Sequence, residues 1–357
     1  MSQLGLGMTT APHEPRRRRS RLAPLIAGVA VLALAVAAVW AGLSYFKGAA
    51  DYPGPGSGEV VVKIQPGDTA TRIGDTLAAA DVVASAKAFV SAAKADPNSS
   101  SIQPGQYKLL KQMKASDALA MLLDPSSRLT NRVVIPEGTQ ARQIVEIVAK
   151  ATGIPAADLT AALKQPTALG LPAYAKGNPE GFLFPATYEL EPGVSAQQAL
   201  TPMVQRFDQA AASVNLVQRA AEIGRTPYEV LIVASLVQAE VQPADFAKVA
   251  RVIYNRLDQG MKLQLDTSVL YALGRSTLKL SNQDIAVDSP YNTYKIPGLP
   301  PTPINSPGEQ ALEAALAPAT GDWLYYVTVN PTTGETKFTS SYSEFLKFKA
   351  EFEANNP

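Results

Sequence analysis

Residues Leu22 to Tyr45 read LAPLIAGVAVLALAVAAVWAGLSY, and Ser44 is the only ordinary polar side chain before the aromatic tip. No feature of the chain constrains its fold more, because a soluble domain cannot cover so long an unbroken apolar run on its surface. As a helix rising about 1.5 Å per residue it spans on the order of 36 Å, enough to cross the hydrocarbon core of a bilayer. Pro24 lies near its start, where a helix tolerates it. Trp40 and Tyr45 fall near one end, as interfacial aromatics do. Five arginines in RRRRSR, Arg16 to Arg21, precede the run and only Lys47 follows closely. That asymmetry predicts a single-pass membrane protein with a cytoplasmic amino terminus and an extracytoplasmic remainder. The alternative is a cleaved signal peptide or a twin-arginine export signal. The run is longer than the usual export core of about 7 to 15 residues, and no convincing small-residue cleavage site follows it, so a retained anchor is the expectation.

The tail and apolar run hold five arginines and one glutamate, so setting them aside takes the formal net charge from +1 to −3. The external part is therefore no basic module for anionic surfaces, and nothing in the balance points to nucleic acid. Cysteine is absent, and the one histidine, His13, lies in the polar tail. Disulfide scaffolds, thiolate nucleophiles, Cys/His zinc sites and imidazole relays are excluded together. No Gly-x-Ser-x-Gly or Ser-x-x-Lys element stands in a suitable context. Chemistry must come from carboxylates, hydroxyls, Lys, Arg or Tyr, with no cofactor and no metal expected.

The organisation follows from composition. Residues 1–21 form the basic tail, 22–45 the span and 46–57 a Pro/Gly-broken linker. Residues 58–127 read as a small α+β unit: a strand at EVVVKI, helices at TATRIGDTLAAADVV and SAKAFVSAAKA, a strand at PGQYKLL and a helix at ASDALAMLLD. Residues 128–357 read as a second, mixed α+β domain. Its first segment, NRVVIPEGTQARQIVEIVA, echoes the start of the smaller unit at a spacing of 71 through Val62/Val133, Ile64/Ile135, Gly67/Gly138, Ala70/Ala141 and Ile73/Ile144. The aromatic-rich NPEGFLFPATYEL suits a strand and turn at a core edge as well as it suits a substrate-facing surface. TPYEVLIVASLVQAEVQPAD predicts a helix opened by Pro227 and closed before Pro243. ADFAKVARVIYNRLDQG predicts another, with Phe246, Val249, Ile253 and Leu257 on one stripe and Gly260 just past its end. DWLYYVTV, NPTTGE and TKFTS predict a hairpin, and SEFLKFKAEFEA a closing helix.

Glu240 is the residue that calls for chemistry. On a helical wheel it stands one turn from Leu236, three residues from Val237 and two turns from Val233, whereas Ser235 and Gln238 point the other way. A carboxyl among aliphatic side chains loses the hydration that favours its charged form, so it should keep its proton toward neutral pH and can act as a general acid. Glycosidic oxygens leave only when a proton reaches them. The structural alternative is an ion pair with Arg251 or Arg256 inside the core. Around it the sequence gathers Asn255, Gln264, Asp266 and Tyr271, then Tyr291, Asn292, Thr293 and Tyr294 before a Pro/Gly frame. Amides and aromatic rings of this kind suit sugar recognition, and equally an ordered surface loop.

EGFLFPATY, ASLVQAE, YNRLDQGMKLQLD, VLYALG, YNTYKIPGLPP and PINSPG occur in that order. Together they resemble the successive motifs of the membrane-bound endolytic murein transglycosylases, the YceG-like family, over roughly residues 58–350 and with one anchor in the expected place. The resemblance implies a LysM-like subdomain followed by a catalytic domain facing the cell wall. It implies cleavage between N-acetylmuramic acid and N-acetylglucosamine in nascent peptidoglycan strands, with an anhydro-muramoyl end. It also implies penicillin-binding synthases and the elongation or division machinery as partners. The second acid of the family motif ASIVEKE matches Glu240, and the first is Gln238 here. Lys337 and Phe345 stand where the family often has histidines. Two rival readings are a muramidase that hydrolyses with Glu240 and Asp266 as a pair, and a non-catalytic wall-binding adaptor.

Overall fold

The structure is a computed structural model that describes residues 32–39, 49–275 and 280–355. Residues 32–39 are helical with their apolar side chains exposed, and the rest of the predicted span 22–45 lies outside the described residues. No helix among the described residues is long and apolar enough to cross a membrane. The chain divides into two compact units, one ending at Arg128 and the other beginning at Leu129.

In the first unit β1 (Ser57–Ile64) pairs antiparallel with β2 (Gly105–Lys111), placing Val62 opposite Tyr107 and Val60 opposite Leu109. Between the strands run α1 (Ala70–Ala79) and α2 (Ala86–Ala95), and α3 (Ala115–Leu123) follows. Alternation decides which face of the sheet is covered: Val62 and Ile64 are buried while Val61 stands exposed. The covered face meets Ile73, Leu77, Phe89 and Leu119 in one core. Thr69 and Ser85 begin α1 and α2 by accepting the otherwise unpaired amides of Arg72 and Ala88.

The second unit opens with β3 (Asn131–Val134), α4 (Ala141–Thr152) and α5 (Ala156–Leu163); β4 (Thr187–Leu190) then pairs antiparallel with β3. The echo at spacing 71 has a structural counterpart. Val62 and Val133, Ile64 and Ile135, and Ile73 and Ile144 are all buried, and Gly67 and Gly138 both take positive φ, +80° and +74°. Of NPEGFLFPATYEL only the last four residues are strand, and Phe182, Leu183 and Phe184 are buried in the core instead of facing outward.

The larger core is built by α6 (Ala196–Ser213), α7 (Leu216–Glu222), α8 (Pro227–Glu240) and α9 (Phe246–Asp258), with α10 (Asp266–Leu273) and α11 (Glu309–Leu316) beside them. β5 (Tyr325–Asn330) and β6 (Glu335–Thr339) form the antiparallel hairpin, and α12 (Tyr342–Asn355) closes the chain. α8 starts where Thr226 and Glu229 form a capping box with Pro227 in the first turn. It has no polar face until its last turn: Tyr228 and every residue from Val230 to Val237 are buried. Ser235, on the side opposite Glu240, is as buried as its aliphatic neighbours, because its hydroxyl donates to the Ile232 carbonyl and accepts the Ile304 amide. The helix is thus a rigid central post that delivers its final residue to the rim of the core.

Candidate active site

That final residue is Glu240. The core ends beneath it, and the side chain is half-buried with part of its surface open. Two hydroxyls hold its carboxyl. Thr267, in the first turn of α10, donates to Oε1, and Tyr326, on β5, donates to Oε2 at 2.7 Å. Burial pushes the Glu240 carboxyl up from its ordinary value; the two hydroxyl donors pull it partly back, and the nearby charge of Asp266 adds to the upward push. Its place at the carboxyl end of α8, where the helix dipole is negative, acts in the same direction. A hydroxyl both donates and accepts, so each can serve the ionised carboxylate and either can turn to accept the proton of the neutral acid. Such a clamp supports both protonation states without moving heavy atoms.

Neither arginine considered for an ion pair supplies one. Arg251 donates to the Ala319 carbonyl at 2.6 Å. Arg256 is buried and gives its donors to the carbonyls of Leu324 (2.6 Å) and Leu263 (2.7 Å). Gln238, two residues before the acid and on the opposite side of the helix, accepts the Gly308 amide at 2.9 Å and so ties α8 to the start of α11.

The residues expected from the sequence separate into three groups. Asp266 and Tyr294 stand beside the acid: Asp266 begins α10, is exposed, and accepts from the Tyr294 hydroxyl at 2.5 Å. Tyr271 and Tyr291 pack ring against ring at 4.9 Å between centroids, and Tyr291 shares a hydrogen bond with Thr302. Of the remaining four, Asn255, Asn292 and Thr293 hold the frame, and Gln264 is exposed. Asn255 donates to the Gly321 and Trp323 carbonyls. Asn292 is fully buried, with its amide nitrogen on the Ile285 and Val287 carbonyls and its oxygen accepting the Tyr294 amide. Thr293, equally buried, accepts the Leu265 amide at 2.8 Å, and Gln264 accepts from Arg256 at 3.4 Å. These contacts spend polar atoms that the sequence offers to a sugar.

Three residues that composition does not single out are Thr267, Tyr326 and Glu180. Thr267 lies one residue beyond a motif acid, and Tyr326 sits in the hairpin whose Lys337 binds Glu351 at 2.6 Å and whose Phe345 neighbour stacks on Tyr325 at 5.2 Å. The hairpin reaches the acid through its tyrosine, not through the positions where the family often has histidines. Glu180 is buried, accepts the Ala141 amide at 2.9 Å at the start of α4 and accepts from the Tyr271 hydroxyl at 3.0 Å. Burial pushes it up to about 7, against the pull of those donors and of Arg142. The next residue, Gly181, has φ +88° and a Cβ there would come within 2.7 Å of Pro303, so glycine is required for Glu180 to sit where it does.

A cleft of about 260 Å³, lined among others by Ala239, Thr267, Tyr271 and Asn305, reaches the acid through Thr267, which both walls the cleft and donates to the carboxyl. A larger one, about 710 Å³, is lined by Val214, Phe246 and Glu313. There Arg219 grips Glu313 at 2.6 Å and holds it below its ordinary value, so size does not mark the chemistry. Among the described residues no group of His, Asp or Glu could hold a metal ion.

The chain is similar to known proteins over most of its length. The profile of the YceG-like family matches residues 62–351. The endolytic murein transglycosylase of Bacillus subtilis (strain 168) is 31% identical over 309 residues, covering 82% of this chain and 84% of that protein. The endolytic murein transglycosylase of Streptococcus pneumoniae serotype 2 (strain D39) is 31% identical over 323 residues, and the match spans 58% of that longer relative. Among solved structures, a yceG-like protein from Listeria monocytogenes superposes with a TM-score of 0.55 at 30% identity, covering 82% of this chain and 99% of that one.

Proposed function

The chain belongs to the YceG-like family, and from that membership we propose that it is an endolytic murein transglycosylase whose single acid and base is Glu240. The observation that carries the reading is the carboxyl at the end of α8, held by two hydroxyls, in no ion pair among the described residues, and joined through Thr267 to the wall of an open cleft. Protonated Glu240 gives its proton to the oxygen linking muramic acid C1 to the next sugar. The C1–O bond breaks, the departing strand leaves as an alcohol, and positive charge spreads over C1 and the ring oxygen. The muramoyl C6 hydroxyl then attacks C1 and its proton returns to the Glu240 carboxylate. A 1,6-anhydro end forms and the acid is regenerated. Because the nucleophile belongs to the substrate, neither water nor a second carboxylate is consumed. The apolar run at 22–45 would hold the enzyme at the membrane with this domain outside. The strand–helix–helix–strand order of the first unit supports reading it as the LysM-like subdomain that presents the strand.

Mass spectrometry of strands digested by the purified protein tests this. Anhydro ends are expected, with Glu240→Gln lowering the rate at least about a hundredfold, as loss of a general acid does. Reducing ends would refute the transglycosylase reading. Asp266, near enough for its charge to act on Glu240, keeps a hydrolytic pair in view. Asp266→Asn separates the two: a pair collapses, whereas a one-carboxyl reaction loses far less.

A further inference from the structure

The cleft walled by Thr267 and Ala239 holds a buried acceptor without a hydrogen-bond partner and, apart from it, an exposed cation that enters no salt bridge among the described residues. Asn305 is 3% exposed, and its Oδ1 is buried without a hydrogen-bond partner. Its orientation is fixed, because the amide nitrogen donates to the Ser235 carbonyl at 2.9 Å and that carbonyl can only accept. Leaving a buried acceptor unpaired is costly, so its place on the cleft wall marks it for a donor that arrives from outside. The second group is Arg142, in the first turn of α4. It is exposed, lines the same cleft, and enters no salt bridge among the described residues. Its guanidinium lies over the backbone at Gly274, where a Cβ would stand 2.6 Å from Nη1, so the glycine makes room for it. Arg275, on the same wall, is already bound to Asp284 at 2.7 Å.

An acceptor and a cation on one cleft call for a ligand with an N–H and a carboxylate. Muramic acid is where a glycan strand supplies both: its peptide branch carries several amide N–H groups and carboxylates, and a strand without the branch keeps only the acetamide N–H and one lactyl carboxylate at the ring. We infer that this cleft is a subsite for the peptide branch of the glycan, with a branch amide donating to Asn305 and a branch carboxylate bound by Arg142. The inference rests on the proposed function, since Thr267 joins the cleft wall to the Glu240 carboxyl and so sets the branch beside the bond to be cut. The subsite would then select strands that still carry their peptides.

The test compares peptide-bearing strands with strands stripped of peptide by an amidase, using the full chain. The wild type should prefer peptide-bearing strands. Arg142→Ala should lower kcat/KM on them about ten- to hundredfold, the size expected for a charge-assisted hydrogen bond, with no change on stripped strands. Arg142→Lys should recover part of the loss. An equal loss on both strands overturns the inference, because stripping leaves a carboxylate at the branch root that would then be the ligand. Equal cutting of both strands by the wild type, with anhydro ends, overturns the inference and leaves the function standing. Failure to cut either strand overturns both.

Discussion

At the scale of single residues, the proposed reaction needs a carboxyl that holds its proton more tightly than an ordinary glutamate and can still release it. Burial pushes Glu240 toward the first, and two hydroxyl donors favour the charged form that the second requires. Tyr326→Phe removes a hydrogen bond that favours the charged form, so the carboxyl should rise further and the alkaline limb of kcat/KM should move to higher pH. The rate should fall about tenfold, the usual worth of one hydrogen bond. A pH–rate profile whose limb stays put or moves down would contradict the assignment. Glu240 itself was legible in the sequence because one acid interrupted an apolar helical pattern. Thr267 and Tyr326 were not: each is an ordinary residue of its element, and what distinguishes them is contact with a residue 27 or 86 positions away. The reverse case has the same origin. Asn292 and Thr293 look like sugar ligands by type, yet a loop rich in Pro and Gly leaves many backbone groups unpaired, and those two side chains satisfy them.

At the scale of elements, α8 is the post on which the site stands, and Ser235 fastens it to the strip 304–305 that walls the cleft. Ser235→Ala would leave the buried Ile304 amide without its acceptor, costing about 1–3 kcal/mol. Chemical denaturation should show that loss, and an unchanged midpoint would mean that another acceptor replaces the hydroxyl. The helices α1, α2 and α9 and the carboxyl-terminal hairpin were readable because a hydrophobic pattern coincides with a capping residue or a turn, and α8 because Pro227 and Pro243 bracket an apolar run. α10 and α11 were not singled out. Both are only eight residues long, too short for a 3.6-residue period to repeat more than twice, and tertiary packing decides them.

At the scale of the whole molecule, Glu180 couples stability to pH. The folded protein holds its proton up to about pH 7 while an unfolded chain releases it near 4.5, so the folded state binds more protons in that window. Stability therefore falls as pH rises from about 4.5 to about 7, by on the order of 3 kcal/mol from this group. Glu180→Gln should lose that component, which thermal melts of both proteins between pH 5 and pH 8 would show. Identical slopes would mean that the carboxyl is ordinary. The amino-terminal run supplies the other prediction at this scale. Deleting residues 1–48 should move the protein from the membrane to the soluble fraction while leaving cleavage of dissolved strands intact. Retention of the shortened chain in washed membranes would mean that something other than residues 22–45 anchors it.

The most direct measurement is the titration of one carboxyl in the intact fold. With carbon-13 in the glutamate side chains, the signal missing from Glu240→Gln identifies Glu240 in the wild type, and its chemical shift against pH gives its protonation. The account predicts a midpoint clearly above the ordinary 4.5 of a glutamate. A midpoint at or below that value would mean the group is a carboxylate at working pH with no proton to give.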